Sequence, residues 1–309
     1  MTVTLDTEAT PSTATGEGRP GTPARKRRAA APYVLGGALV TVSVLLLGIC
    51  AQLVLLSPLQ HRAAQSAGFD RLRGELAAGT VAVSQTDLKG RLVAPGTPLM
   101  LLEIPELHVR EVAFEGTGSD VLAKGPAHRR DTVLPGQAGT AVIMGRATAY
   151  GGPFGRLDEL VPGDTFRITT GQGRFTFRVL GLRYAGDRAP AAPAAGKGRV
   201  VLMTATGAPY LPAGVLRVDA DLVGDAADTP ALRIAPQSLP SSELPLRGSP
   251  IVWWELLLWL QALAATSVAA VWAWFRWGRR QTWIVSVGPI GAVGLEVAEQ
   301  ITRLLPNLL

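Results

Sequence analysis

Two short apolar stretches run into residues that could do chemistry. Gly139-Thr140-Ala141-Val142-Ile143-Met144 leads into Gly145-Arg146-Ala147-Thr148-Ala149-Tyr150-Gly151-Gly152, and Val200-Val201-Leu202-Met203 leads into Thr204-Ala205-Thr206-Gly207. A buried strand that opens into a glycine-rich loop presents side chains at its end. Arg146, Thr148, Tyr150, Thr204 and Thr206 are the candidate groove residues so presented, with Arg217 on a later strand. Their chemistry is that of binding. A guanidinium stays charged at any useful pH and cannot be a general base near neutrality. A threonine hydroxyl needs an activating base to attack anything, and none stands beside Thr204 or Thr206. Asp158 and Glu159 are adjacent, so they point to different faces and read as a solvated turn rather than a catalytic pair.

The remaining reactive residues are sparse. The single cysteine, Cys50, lies inside an apolar run, so the chain has no internal disulfide. The three histidines, His61, His108 and His128, form no metal-type cluster with Cys, Asp or Glu, and neither a metal nor a cofactor is expected. His128 closes the turn Gly125-Pro126-Ala127-His128 and reads as a surface loop residue. The net charge of +6 is concentrated at Arg25-Lys26-Arg27-Arg28, beside the first apolar run. That placement fits membrane topology, and no nucleic-acid motif is present.

The elements that must position these residues follow from composition and periodicity. With 47% hydrophobic and 17% charged residues, the chain is too apolar for an ordinary soluble protein and implies membrane segments plus one domain. Residues 1–32 read as a disordered cytoplasmic tail carrying the basic cluster. Residues 33–56 are long enough to span a bilayer as a first transmembrane helix. Residues 57–94 read as an extracytoplasmic helical stalk, a spacer between membrane and domain. Residues 95–223 carry period-two strands: Phe166 and Ile168 alternate with Thr165, Arg167 and Thr169. That spacing suits one closed β-barrel with short helices, so the fold class is mainly β with added transmembrane α-helices. Residues 224–250 form a Pro-rich linker, and 251–275 a second transmembrane helix with tryptophans near its ends.

Residues 276–309 begin with a basic turn. Beyond it, Pro289 and glycines 288, 291 and 294 weaken a straight helix, and Glu296, Glu299, Gln300 and Arg303 make a polar stripe. This predicts an interfacial or re-entrant amphipathic segment, with residue 309 on the cytoplasmic side.

An ordered series of motifs resembles the sortases, cysteine transpeptidases of Gram-positive cell surfaces, of class C/E type. Leu101-Leu102-Glu103-Ile104-Pro105-Glu106-Leu107 is similar to an early family strand, and Leu134-Pro135-Gly136-Gln137-Ala138-Gly139 and Pro153-Phe154-Gly155-Arg156-Leu157 follow in family order. The two strands above correspond to those that carry the family's catalytic His and Cys. The resemblance puts Arg146 at the His position, Ala205 at the Cys position and Val215 at the position of the family's Arg. Arg217 lies on the same strand face as Val215, roughly 7 Å further along.

The resemblance therefore implies a catalytically degenerate sortase barrel, a binding or scaffolding module of the cell envelope. The alternatives are a transpeptidase with divergent catalytic residues and a structural subunit of a membrane assembly. The partners implied are a cell-envelope or membrane protein, with a sorting-signal peptide and an intact sortase as candidates. The basic cluster predicts a cytoplasmic N-terminus and an extracytoplasmic barrel in the cell membrane.

Overall fold

The computed structural model describes residues 42–43, 45–248 and 252–309. The basic cluster, the N-terminal tail and the start of the first apolar run lie outside the described residues. Eight strands close a barrel in the order β1-β2-β3-β4-β7-β8-β6-β5. They are β1 Pro98–Ile104, β2 Val109–Glu115, β3 Ala127–His128, β4 Gly139–Met144, β5 Thr165–Thr170, β6 Gly173–Arg183, β7 Gly198–Ala208 and β8 Leu211–Val223. Pairing of β1 with β5 closes the cylinder. Strands β4 and β7 run parallel and in register from Gly139↔Gly198 to Met144↔Met203.

Strand alternation fills the interior. Leu102, Ile104, Ile143, Phe166, Ile168, Phe177, Val200, Leu202 and Val218 form the inner core. Phe166 and Phe177 stack with ring centroids 5.6 Å apart. Each phenylalanine so buried contributes about 2–3 kcal/mol of transfer free energy. A second apolar cluster lies on the opposite face of β4, β7 and β8 and contains Val142, Met144, Val201, Met203, Ala205 and Val215.

Two segments read as spacers are instead fastened to the barrel. Helix α1, Ser57–Ala78, follows a π-helical turn at Gln52–Leu56 and packs along β2. Leu72 is buried there, and a Cβ on Gly68 would meet the Phe114 ring at 2.8 Å. Gln65 accepts from the Val112 N–H at 2.7 Å and donates to the Val112 carbonyl at 3.0 Å, as a neighbouring strand would. The Pro-rich stretch 224–248 is pinned as well. Gln85 Oε1 accepts from the backbone N–H groups of Arg233 and Ile234. Arg130 pairs with Glu243 at 2.9 Å, and the Thr117 hydroxyl donates to the Glu243 carbonyl. The prolines leave this stretch two short 3-10 turns, Pro236–Ser238 and Ser241–Glu243, and backbone N–H and carbonyl groups that these turns leave unpaired bond to Gln85 and Thr117 instead.

Beyond the barrel, α3 (Val252–Trp277) and α4 (Arg279–Leu304) form a hairpin around Gly278. Together with Leu45–Ala78 they are long and apolar enough to cross a membrane. α4 runs unbroken through Pro289, where the sequence predicts weakening. Residues 306–309 then lie on the barrel, with the Ala147 N–H donating to the Leu308 carbonyl at 2.8 Å. Residue 309 and the barrel are therefore on one side of any membrane. This corrects the expectation that they face opposite sides.

His128 is another correction: it is fully buried, not a surface residue. Its Nδ1 lies 2.8 Å from Glu115 Oε2 and its Nε2 2.9 Å from the Val133 carbonyl. The Thr132 hydroxyl also lies 3.1 Å from Nε2, and the Glu115 and Val133 oxygens on the two sides of the ring favour its doubly protonated form. Burial pushes its pKa down, but the Glu115 charge and the hydrogen bonds to Glu115 and Val133 outweigh that and hold it above 6.5. The pair's stabilisation is complete below pH 6.5 and is lost as pH rises through the raised value. Thermal melts from about pH 6 to 9 should show a falling melting temperature, a slope that His128→Gln flattens. Equal slopes in both proteins would contradict this assignment.

Candidate functional site

Strands β4 and β7 end side by side. Gly145 N–H donates to the Met203 carbonyl at 2.9 Å, which holds the start of the β4 loop level with the end of β7. Gly145 is required here, because a Cβ would meet the Phe154 ring at 2.5 Å. One residue later comes Arg146, 1% exposed. Its Nη2 donates to the Ser119 carbonyl at 3.0 Å and to Ser119 Oγ at 2.8 Å. Ser119 opens the single-turn helix α2, Ser119–Leu122. Nη1 donates to the Leu309 carbonyl at 2.9 Å. The guanidinium lies 4.8 Å above the Tyr150 ring, and that stacking favours the charged form. Burial lowers the Arg146 pKa to about 10, and the group remains a cation at neutral pH. No Asp or Glu side chain among the described residues forms an ion pair with it.

Tyr150 holds a left-handed backbone, φ 53°, which is uncommon for a bulky residue. Three contacts fix it: its N–H to Ser57 Oγ, its ring beneath Arg146, and its hydroxyl 3.3 Å from Thr302 Oγ1. The loop is thereby tied to the start of α1 and the end of α4.

The floor beside Arg146 is apolar. Ala205 lies opposite Val215 on β8, and both belong to the outer cluster with Val142, Met144, Val201 and Met203. Leu308 and Leu309 cover that cluster at 0% and 2% exposure. Asn307, also fully buried, donates through Nδ2 to the carbonyls of Thr117 at 3.0 Å, Leu244 at 3.0 Å and Ser242 at 3.4 Å. Its backbone N–H donates to the Arg247 carbonyl.

Of the residues singled out from sequence, the structure brings Arg146 and Tyr150 together and, on the neighbouring strands, pairs Ala205 with Val215. Thr204 shares strand parity with the core residues Val200 and Leu202, so it faces the barrel interior, where its hydroxyl is buried without a partner. Thr206 follows on that same side. Thr148 is half-buried in the loop. Arg217 lies across from Met203 and Arg183, and burial and the Arg183 charge push its pKa down. It belongs to a charged row with Arg183 and Asp219 rather than to the Arg146 contacts. Sequence reasoning missed Ser119, Asn307, Leu308 and Leu309. The one signal for the last three is an Asn-Leu-Leu run directly after a helix-ending proline.

The family profile described as Sortase domain matches residues 102–218, which hold both strands of the site. The barrel is a sortase-family domain. Sortase D of Bacillus subtilis (strain 168) is 34% identical over 80 residues, 26% of this chain and 39% of that protein. The chain thus spans about two fifths of the length of that curated relative. Among solved structures, the sortase domain is similar to a Clostridium perfringens sortase D5 transpeptidase at 20% identity, covering 52% of this chain and 99% of that one, with a TM-score of 0.44. It is also similar to sortase E1 from Streptomyces coelicolor at 21% identity, covering 43% and 92%, with a TM-score of 0.38.

Replacing Arg146 should cost stability even without any ligand. Arg146→Met strips donors from Ser119 and Leu309, an expected loss of about 1–3 kcal/mol. Arg146→Lys keeps the charge but not the fork, and should recover only part of it. Thermal unfolding of the detergent-solubilised chain reads this out. Melting temperatures unchanged in both variants would make Arg146 a dispensable loop residue.

Proposed function

We propose that this protein is a membrane-anchored, extracytoplasmic binding or scaffolding module of the cell envelope, built on a sortase barrel without transpeptidase activity. The observation that carries this reading is the pair of strand ends. Where the family resemblance puts a general base and a thiol nucleophile stand Arg146, whose forked end is engaged by Ser119, Leu309 and Tyr150, and Ala205, an inert methyl. Transpeptidation needs a nucleophile and a proton acceptor within reach of one another. Cys50 is the only thiol, and it belongs to the apolar helix ahead of α1. Residual threonine chemistry finds no support at Thr204, whose hydroxyl is turned into the barrel interior.

The partner is a cell-envelope or membrane protein, recognised through a segment such as a sorting signal or through an intact sortase. The anchoring places the barrel outside, with the α3–α4 hairpin crossing the membrane and returning. The reading of the protein as a structural subunit of a membrane assembly draws on one feature: the hairpin carries Glu296, Glu299 and Arg303 on a helix of spanning length.

The full chain in detergent, incubated with Leu-Pro-x-Thr-Gly-type peptides and an amine acceptor, should give no acceptor-dependent cleavage above a no-protein control. Ala205→Cys alone should not restore it, because the base is still missing. Transfer by the unmodified chain would overturn the non-catalytic reading. In intact protoplasts, added protease should reach the barrel; protection until lysis would overturn the topology.

A further inference from the structure

The apolar floor formed by Met144, Val201, Met203, Ala205 and Val215 is not open. Leu308 and Leu309 are buried in the same apolar cluster, with the Leu308 carbonyl bonded to Ala147 and that of Leu309 to Arg146. We propose that this face is a peptide-binding groove specific for an Asn-Leu-Leu segment, and that residues 306–309 are its resident ligand, an intramolecular plug that a partner must displace. The proposal rests on the reading above that the barrel binds rather than cleaves.

Recognition is distributed over polar anchor, main chain and apolar side chains, as in a peptide complex. One polar anchor, Asn307, is fully buried with its Nδ2 aimed at three carbonyls. That arrangement calls for a donor, and a carboxylate would face acceptors; the Asn307 Oδ1 has no partner of its own. The next residue docks by main chain, its carbonyl accepting from the Ala147 N–H. The leucine side chains at 308 and 309 supply apolar burial. Arg146 then closes the end of the segment by donating to the Leu309 carbonyl. Its other Nη is held by Ser119, so the guanidinium is already oriented toward the segment.

The plug is delivered by α4. Leu305, Asn307 and Tyr150 tie the end of that helix to the barrel, and Gly248 approaches the Leu304 carbonyl so closely that a Cβ would lie 2.6 Å from it. A tethered ligand meets its site at an effective concentration in the millimolar range. A free peptide of the same sequence, binding with a micromolar constant, is therefore excluded while the plug is in place. Movement of the membrane hairpin relative to the barrel would withdraw the plug and expose the groove.

The test uses a fluorescent peptide of residues 302–309, Thr-Arg-Leu-Leu-Pro-Asn-Leu-Leu, added to the detergent-solubilised chain. The unmodified protein should show no saturable binding. A chain ending at Leu305 should bind at least about tenfold more tightly. In that opened chain, a peptide with Asp in place of the Asn, or Arg146→Met in the protein, should lower the affinity about tenfold or more. Circular dichroism confirms that the opened chain is folded. A folded, opened chain that binds no better than the original, or that does not distinguish the two peptides, overturns the plug. Should the opened chain transfer a Leu-Pro-x-Thr-Gly peptide, the non-catalytic reading falls while the plug stands.

Discussion

A guanidinium taken out of water must find its solvation in the protein, and the groove supplies partners to both Nη atoms of Arg146 while its Nε stays buried without one. An isolated buried charge costs several kcal/mol unless hydrogen bonds and a polarisable surface replace water. Arg146 obtains them from elements far apart in sequence: Ser119 at the start of α2, the Tyr150 ring in its own loop, and the Leu309 carbonyl. Each of those partners is held in place by something else. Tyr150 keeps its left-handed backbone through Ser57 and Thr302, which joins α1 and α4 to the loop. One buried cation thus links the barrel to the membrane-proximal helices.

The barrel itself was legible from period-two alternation, because each strand has one face in the core and one outside it. Phe166, Ile168, Phe177 and Val179 all lie where alternation puts them. The same parity, applied to β7, separates Ala205 from Thr204 and Thr206, and the sequence reading erred in placing all of them in the groove. Arg146 was legible as the residue of interest because a charged side chain directly after a buried strand has few places to go. Its burial was not legible, since the partners that make burial tolerable lie 27 and 163 positions away.

Local composition misled where tertiary contacts decide the outcome. The Pro-rich composition of residues 224–250 reads as a linker, but carbonyl and N–H groups of its described part are what Gln85, Gln172 and Thr117 bind. The stalk at 57–94 reads as a spacer from its place between apolar run and domain; Gln65 fastens it by polar contacts that no hydrophobic period reports. His128 was assigned to a surface loop from its Gly-Pro-Ala-His context. The carboxylate that buries it, Glu115, belongs to a neighbouring strand in parallel register. Pro289 weakens an isolated helix, yet packing against α3 keeps α4 continuous.

The occupied groove joins these features into one account, in which the apolar α3–α4 hairpin delivers a peptide segment to the ends of β4 and β7. The measurement that bears on it most directly is photocrosslinking in native membranes. A diazirine analogue of leucine at position 308 or 309 should, on illumination, form adducts within the chain to the β4, β7 and β8 residues Val142, Met144, Met203 and Val215, as mapped by mass spectrometry. Adducts confined to lipid, or to another protein with none to these strands, would contradict it.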